Sequence, residues 1–127
     1  MLQTIHHIAI ICSDYPTSKT FYTEILGLEI IKETYREERK SYKLDLALNG
    51  NYIIELFSFP DAPQRISRPE AQGLRHLAFS VNDIESAIEE LHAKGITTEA
   101  IRTDLITGKR FTFFEDPDQL PLELYEI

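Results

Sequence analysis

The apolar positions of the chain fall into short runs of two periods. HHIAIIC (6–12) is strand-like, with His6, Ile8, Ile10 and Cys12 on one face and His7, Ala9 and Ile11 on the other. Asp14 then stands where a helix N-cap is expected. Phe21, Tyr22, Ile25 and Leu26 follow as a helical stripe ended by Gly27. Extended stretches are expected near 28–35, 42–48 and 52–58, the last two joined by the turn signal NGN at 49–51. The order then recurs. A strand at 75–81 leads to a helix from about Asp83 to Lys94, with Ile84, Ala87, Ile88 and Leu91 on one face and Gly95 as its stop. Strands near 96–102, 110–115 and 121–126 complete the second set.

The recurrence extends to individual residues. HHIAIICSD (6–14) overlays RHLAFSVND (75–83), so that His7 falls on His76, Ala9 on Ala78 and Asp14 on Asp83, at an offset of 69. YIIELF (52–57) overlays LPLELY (120–125) and places Glu55 on Glu123 at an offset of 68. One unit of strand, helix and three strands is therefore written twice, as paired modules rather than a solenoid. The expected organisation is one domain over 1–127, with module one at about 1–60, a Pro-rich polar linker at 61–72 and module two at 73–127. Modules of this size are marginal alone and are expected to bury sheet surface together or against another chain.

The strand faces separate the histidines. Bulky residues accompany His6 and Arg75, which suits packing beneath helices; small residues accompany His7 and His76, which suits a hollow. Glu55 shares a face with Ile53 and Phe57, and a carboxylate against apolar surface needs a cation, a hydrogen-bond network or a proton. Two His and two Glu at repeat-related positions are a candidate ligand set for one divalent metal: Zn, Ni, Co, Mn or Fe(II). For any one of these residues, a satisfied core histidine or a solvent-facing glutamate is the plainer reading; recurrence in both copies is what favours the metal.

Composition removes other classes. With 43% hydrophobic and 27% charged residues the chain has an ordinary globular balance. The net charge of −8 argues against nucleic acid or an anionic membrane surface as partner. No apolar run reaches the length of a membrane span. The single cysteine, Cys12, precludes an internal disulfide and agrees with a cytoplasmic location. Cys12 is expected to be buried bulk, Asp14 and Asp83 helix caps, and His92 a solvent-facing helix residue. REERK (36–40), with Lys109 and Arg110, reads as solvated hairpin, with gripping of an acidic substrate as the sharper alternative.

HHIAIICSDYPTSKTFYTEILGLEI, LRHLAFSVNDIESAIEEL and FFEDPDQLPLELYEI together resemble the vicinal-oxygen-chelate superfamily, which includes glyoxalase I, epimerases, extradiol dioxygenases and the bleomycin and fosfomycin resistance proteins. The resemblance covers essentially the whole chain. It implies an α+β fold of two tandem βαβββ modules whose curled mixed sheets form a metal-holding cleft. It implies His7, Glu55, His76 and Glu123 as the ligands, in the His–Glu–His–Glu order of glyoxalase I, with Zn or Ni favoured. The chemistry implied is that of a lyase or isomerase on a small substrate bearing adjacent oxygens, with Glu123 or Glu55 moving the proton. A homodimer is expected, because such modules often complete their clefts across chains. Two departures weaken a glutathione conjugate as substrate: Ile11 stands where such enzymes carry arginine, and Phe59 where they carry asparagine. Gln119 replaces a glycine common in the family's last turn. The competing classes are a metal-independent drug-binding resistance protein and a metal-dependent transferase or dioxygenase on the same scaffold.

Overall fold

The computed structural model describes residues 1–127, which divide into two units, Met1–Gln64 and Arg65–Ile127. In the first, β1 (Ile8–Cys12) leads to α1 (Tyr15–Thr20) and a π-helical turn (Phe21–Ile25), then β2 (Glu29–Arg36), a 3-10 turn (Glu37–Arg39), β3 (Ser41–Leu48) and β4 (Asn51–Ser58). In the second, β5 (Leu77–Val81) leads to α2 (Ile84–Ala93), β6 (Arg102–Thr103), β7 (Arg110–Glu115) and β8 (Pro121–Glu126). The sheets run β1-β4-β3-β2 and β5-β8-β7-β6. In each, the first strand lies parallel to the last and the remaining neighbours are antiparallel. The fold is thus α+β, with two βαβββ modules in tandem.

Local chemistry sets both helices. Asp14 Oδ1 accepts from the Thr17 amide at 3.0 Å, and Asp83 Oδ1 from the Ser86 amide at 3.1 Å, so both aspartates are N-caps. Gly27 and Gly95, at φ 76° and 81°, close the two helical segments. The first helix is not α-helical to its end. Phe21 and Tyr22 are both buried, although successive side chains on an α-helix diverge by about 100°, and the wider π turn lets both rings face inward.

Beneath the helices, Ile10, Cys12, Leu44, Leu46, Ile54 and Leu56 form the core of the first module, and Ile84, Leu91, Leu122 and Leu124 that of the second. The opposite faces stay open: Ile11 is 53% exposed, and Ala9, Ala78 and Ser80 are exposed. The alternation expected from sequence therefore holds in both first strands, although β1 begins at Ile8 and β5 at Leu77, leaving His7 and His76 just before them.

One expected strand is largely absent. Of 96–102 only Arg102 joins the ladder, as part of the two-residue β6. The segment before it is held instead at a single point, by Glu99 N–H donating to Phe113 O (2.9 Å) and Thr112 Oγ1 donating to Glu99 O (2.8 Å). A side-chain hydroxyl takes the place of strand pairing.

The two final hairpins are built differently. In the first module, pairing continues to Leu48↔Asn51, closed by Asn49 and Gly50 at φ 50° and 79°, a two-residue turn with both central residues left-handed. The register slips between Leu46↔Ile54 and Ala47↔Tyr52, so Ile53 is an extra residue and Tyr52 turns to the face of Asp45 and Glu55. Ile53, expected on that face by simple alternation, is the bulge. In the second module, pairing stops at Glu115↔Pro121 without a slip. A loop then forms around Asp116, whose carboxylate accepts from the Asp118 and Leu120 amides at 2.8 and 2.9 Å. Gln119 adopts φ 66° there and keeps the left-handed position that a glycine would fill.

Candidate metal centre

Parallel pairing of each module's first and last strands brings a histidine to a glutamate. Ala9 lies opposite Glu55, and Ala78 opposite Glu123. His7 Nε2 is 3.4 Å from Glu55 Oε1, and His76 Nε2 is 3.0 Å from Glu123 Oε2. The four residues singled out by the repeat thus fall into one pair per module. In both pairs Nδ1 faces the preceding residue, His6 Nδ1 at 2.8 Å in the first and Arg75 Nη1 at 3.2 Å in the second. A guanidinium only donates, so His76 Nδ1 accepts and Nε2 carries the proton offered to Glu123. His6 is a correction to the strand-parity reading, which set it on the packed face opposite His7. It precedes β1, is not bound by the alternation, and packs its ring against His7 (5.0 Å) and Tyr52 (5.1 Å).

The glutamates are buried alike, at 13% and 11% side-chain exposure, so depth does not distinguish them. Their neighbours do. Asp45 lies opposite Glu55 on β3. The Tyr52 hydroxyl shares its one proton between Asp45 Oδ1 and Glu55 Oε2, at 2.9 and 3.0 Å, and Lys43 Nζ sits 3.3 and 3.4 Å from the same two carboxylates. Burial first, then these carboxylates, push the Tyr52 phenol well above its usual range. Burial works to lower the Lys43 ammonium, but hydrogen bonds to Asp45 and Glu55 outweigh it and leave it raised. At the offset of 68, the counterparts of Lys43, Asp45 and Tyr52 are Phe111, Phe113 and Leu120. Phe113 lies opposite Glu123, its ring edge-on to His76 at 5.1 Å. His76 is the one polar side chain on Glu123.

Lys43, Asp45 and Tyr52 were not among the sequence-derived candidates. The alternation in SYKLDLAL (41–48) does place Lys43 and Asp45 together on one face. Tyr52 leaves no such signal, because the bulge that turns it depends on cross-strand register.

Each module offers one imidazole nitrogen and one carboxylate oxygen, donor types that suit a divalent first-row metal. No group of three or more His, Cys, Asp or Glu side chains is placed to hold a metal. The other candidates serve structure: Cys12 is buried at 1% exposure, and His92 Nε2 bonds Thr98 Oγ1 at 3.1 Å. Arg110 is no free cation either, being clamped to Glu126 (2.7 Å) and Glu85 (3.3 Å).

A cavity of about 940 Å³ opens in the second module, walled by His76, Phe113 and the arginines Arg65, Arg68, Arg75 and Arg102. Three of these meet carboxylates: Arg68 with Glu115 (3.8 Å), Arg75 with Glu70 (2.6 Å) and Arg102 with Glu99 (3.0 Å). Arg65 is held by Ser67 Oγ (2.7 Å) and the Leu74 carbonyl (3.2 Å). The wall therefore carries little uncompensated charge.

Comparison with known proteins agrees with this architecture. The family model for the glyoxalase/bleomycin resistance protein/dioxygenase superfamily matches residues 4–124. The chain is 71% identical to the uncharacterized protein YwkD of Bacillus subtilis (strain 168), over 99% of this chain and 98% of that protein. It is 62% identical to the uncharacterized protein YaeR of Escherichia coli (strain K12), over 98% and 97%. The crystal structure of a glyoxalase family protein from Enterococcus faecalis superposes with a TM-score of 0.91 at 51% identity, covering 98% of each chain.

Proposed function

Because the chain belongs to the glyoxalase/bleomycin resistance protein/dioxygenase superfamily, we propose that it is a metal-dependent member, a lyase or isomerase acting on a small substrate with adjacent oxygens. The observation that carries this reading is the histidine–glutamate pair found in both modules, each with Nε2 turned to the carboxylate. His7, Glu55, His76 and Glu123 would hold one divalent ion, with Zn or Ni favoured. Remoter relatives at 28–30% identity are named as a lactoylglutathione lyase, an epimerase and a glutathione transferase, which supports chemistry on this scaffold. The metal, when bound, supplies a Lewis acid that polarises the substrate's oxygens.

The chain's own residues divide the remaining work. Lys43 and Tyr52 hold Glu55 in place and compensate its charge, so Glu55 is suited to stay a fixed ligand. Glu123 lies against Phe113 with only His76 as polar partner and is suited to take the proton adjacent to the substrate carbonyl. Ile11 and Phe59 leave no polar group at two positions that would grip a glutathione conjugate, which favours a smaller substrate. Each module brings two ligands, so the centre requires both modules, and we place them in a cytoplasmic homodimer; a monomer by sedimentation at micromolar concentration removes the cross-chain version.

The test is elemental analysis of untagged protein purified without chelators, followed by assay on 2-oxoaldehyde conjugates and 2-oxoacyl thioesters. Stoichiometric metal that is lost in His7→Ala and His76→Ala, with turnover on one of these classes, is the expected result. Substoichiometric metal insensitive to both substitutions overturns the metal centre. A loaded but inactive protein overturns the lyase or isomerase.

A further inference from the structure

In a chain of net charge −8, a cation without a carboxylate partner is conspicuous. Among the arginines, Arg36, Arg39 and Arg65 form no ion pair, whereas Arg68, Arg75, Arg102 and Arg110 all do. Arg65 is tied to Ser67 Oγ and the Leu74 carbonyl, and only Arg36 and Arg39 lie over aromatic rings of the first module. Arg36 is half-buried at the end of β2. Its guanidinium lies 4.9 Å from the Phe57 ring and 5.6 Å from the Phe59 ring, and Arg39 lies 5.6 Å from the Phe59 ring. Below, Arg36 Nη2 donates to the buried Ser41 hydroxyl at 3.0 Å, and its Nε has no partner. The charge is thus held in one orientation by an aromatic platform and one hydrogen bond, and nothing neutralises it.

The platform belongs to the metal face. Phe57 follows Glu55 by two residues on β4, so alternation sets both on one side of the sheet, and Phe59, just past the strand, stacks its ring on Phe57. Phe57 pairs with Lys43, the residue already bound to Glu55. The two phenylalanine rings are nearly parallel, 5.6 Å apart at 16°. At roughly 3.4 Å per residue the platform runs from roughly 7 to 14 Å beyond Glu55. Aromatic rings topped by an unpaired, oriented guanidinium form a receptor for an oxyanion carried on an apolar body.

We propose that Arg36, assisted by Arg39, holds the anionic end of the substrate, a carboxylate or phospho group whose apolar body lies along Phe57 and Phe59. The placement of the reacting end rests on the metal-centre reading, but recognition of the anion does not. It also departs from the solvated-hairpin expectation for 36–40, since Arg36 is packed on rings rather than dispersed in solvent.

The test uses the metal-free full chain and three probes: 4-phenylbutanoate, phenylphosphonate and the neutral 4-phenylbutanamide, followed by amide NMR and calorimetry. Both anions should shift the amides of Arg36, Phe57 and Phe59 and bind at least tenfold more tightly than the amide. Arg36→Gln should abolish that preference, Arg36→Lys should retain part of it, and unchanged thermal unfolding of both variants shows that the fold is intact. A tighter phenylphosphonate assigns a phospho group, and equal affinities assign a carboxylate. His7→Ala, which breaks the metal centre, should leave anion binding in place, so the two readings fail separately. Equal binding of anion and amide, shifts absent from these residues up to the probes' solubility, or anion binding unchanged in Arg36→Gln or lost in His7→Ala overturns the proposal.

Discussion

The two modules share a topology and a histidine–glutamate pair but surround the glutamate with opposite chemistry. Around Glu55 stand Lys43, Asp45 and Tyr52; on the strand facing Glu123 stand Phe111 and Phe113, and Leu120, the counterpart of Tyr52 by offset, is buried in the core with Leu122 and Leu124. The difference begins in the hairpin. LNGNY (48–52) closes as a two-residue turn with a bulge that rotates Tyr52 onto the face of Asp45 and Glu55. DPDQL (116–120) forms a wider loop around Asp116 and needs no bulge. A duplicated frame can thus hold two equivalent carboxylates while one is fixed by partners and the other left nearly free, a division of roles that an exact repeat could not make.

The comparison is broken most severely at the shared residues. His7→Ala and His76→Ala should each lower metal affinity more than 100-fold, measured by calorimetry on metal-stripped protein, because each removes a proposed ligand. A large loss in one variant and none in the other would deny that the pairs are equivalent. Tyr52→Phe strikes only the first module. It removes the donor to Glu55 and should weaken metal binding by roughly 10- to 100-fold, whereas an unchanged affinity would mean that the network does not orient the ligand.

Transplanting the first module's charge into the second sharpens the contrast. Phe113→Asp sets a second carboxylate opposite Glu123 with no ammonium near, and should cost about 2 kcal/mol in urea unfolding. Adding Phe111→Lys should recover part of that loss; no recovery would show that ring packing, rather than charge balance, governs this face. The smallest expected effect is acid sensitivity. Arg110, then the Ile84 amide, hold the Glu126 carboxyl at about 2, below its ordinary 4.5. A depressed folded-state value contributes stability that is complete above 4.5 and is lost as the pH falls toward 2. Glu126→Gln should flatten that limb of the pH–stability profile, and an unaltered limb would place the acid-labile group elsewhere.

Much of this was legible in the residues alone. The offset of 68–69 identified the repeat, the alternation in HHIAIIC and RHLAFSV distinguished the open face from the packed one, and Asp14, Asp83, Gly27 and Gly95 marked both helices. These signals are local: a cap, a left-handed glycine and a period of two are properties of a few consecutive residues. The misreadings share the opposite property. The strand expected at 96–102 gave way to a tether from Thr112, thirteen residues beyond its acceptor Glu99, and His6 escaped the alternation because pairing starts only at Ile8.

The sequence by itself therefore determined the duplicated α+β frame, the helix limits and the four metal-ligand candidates, since each rests on local conformation or on comparison of the chain with itself. Only the tertiary structure decided which groups attend each glutamate. Tyr52 reaches Glu55 through a bulge, Lys43 and Asp45 through cross-strand register, and Arg36 reaches Phe57 and Phe59 from a strand not paired with theirs. Register and ring stacking are set by contacts between distant segments, and no pattern within one segment encodes them.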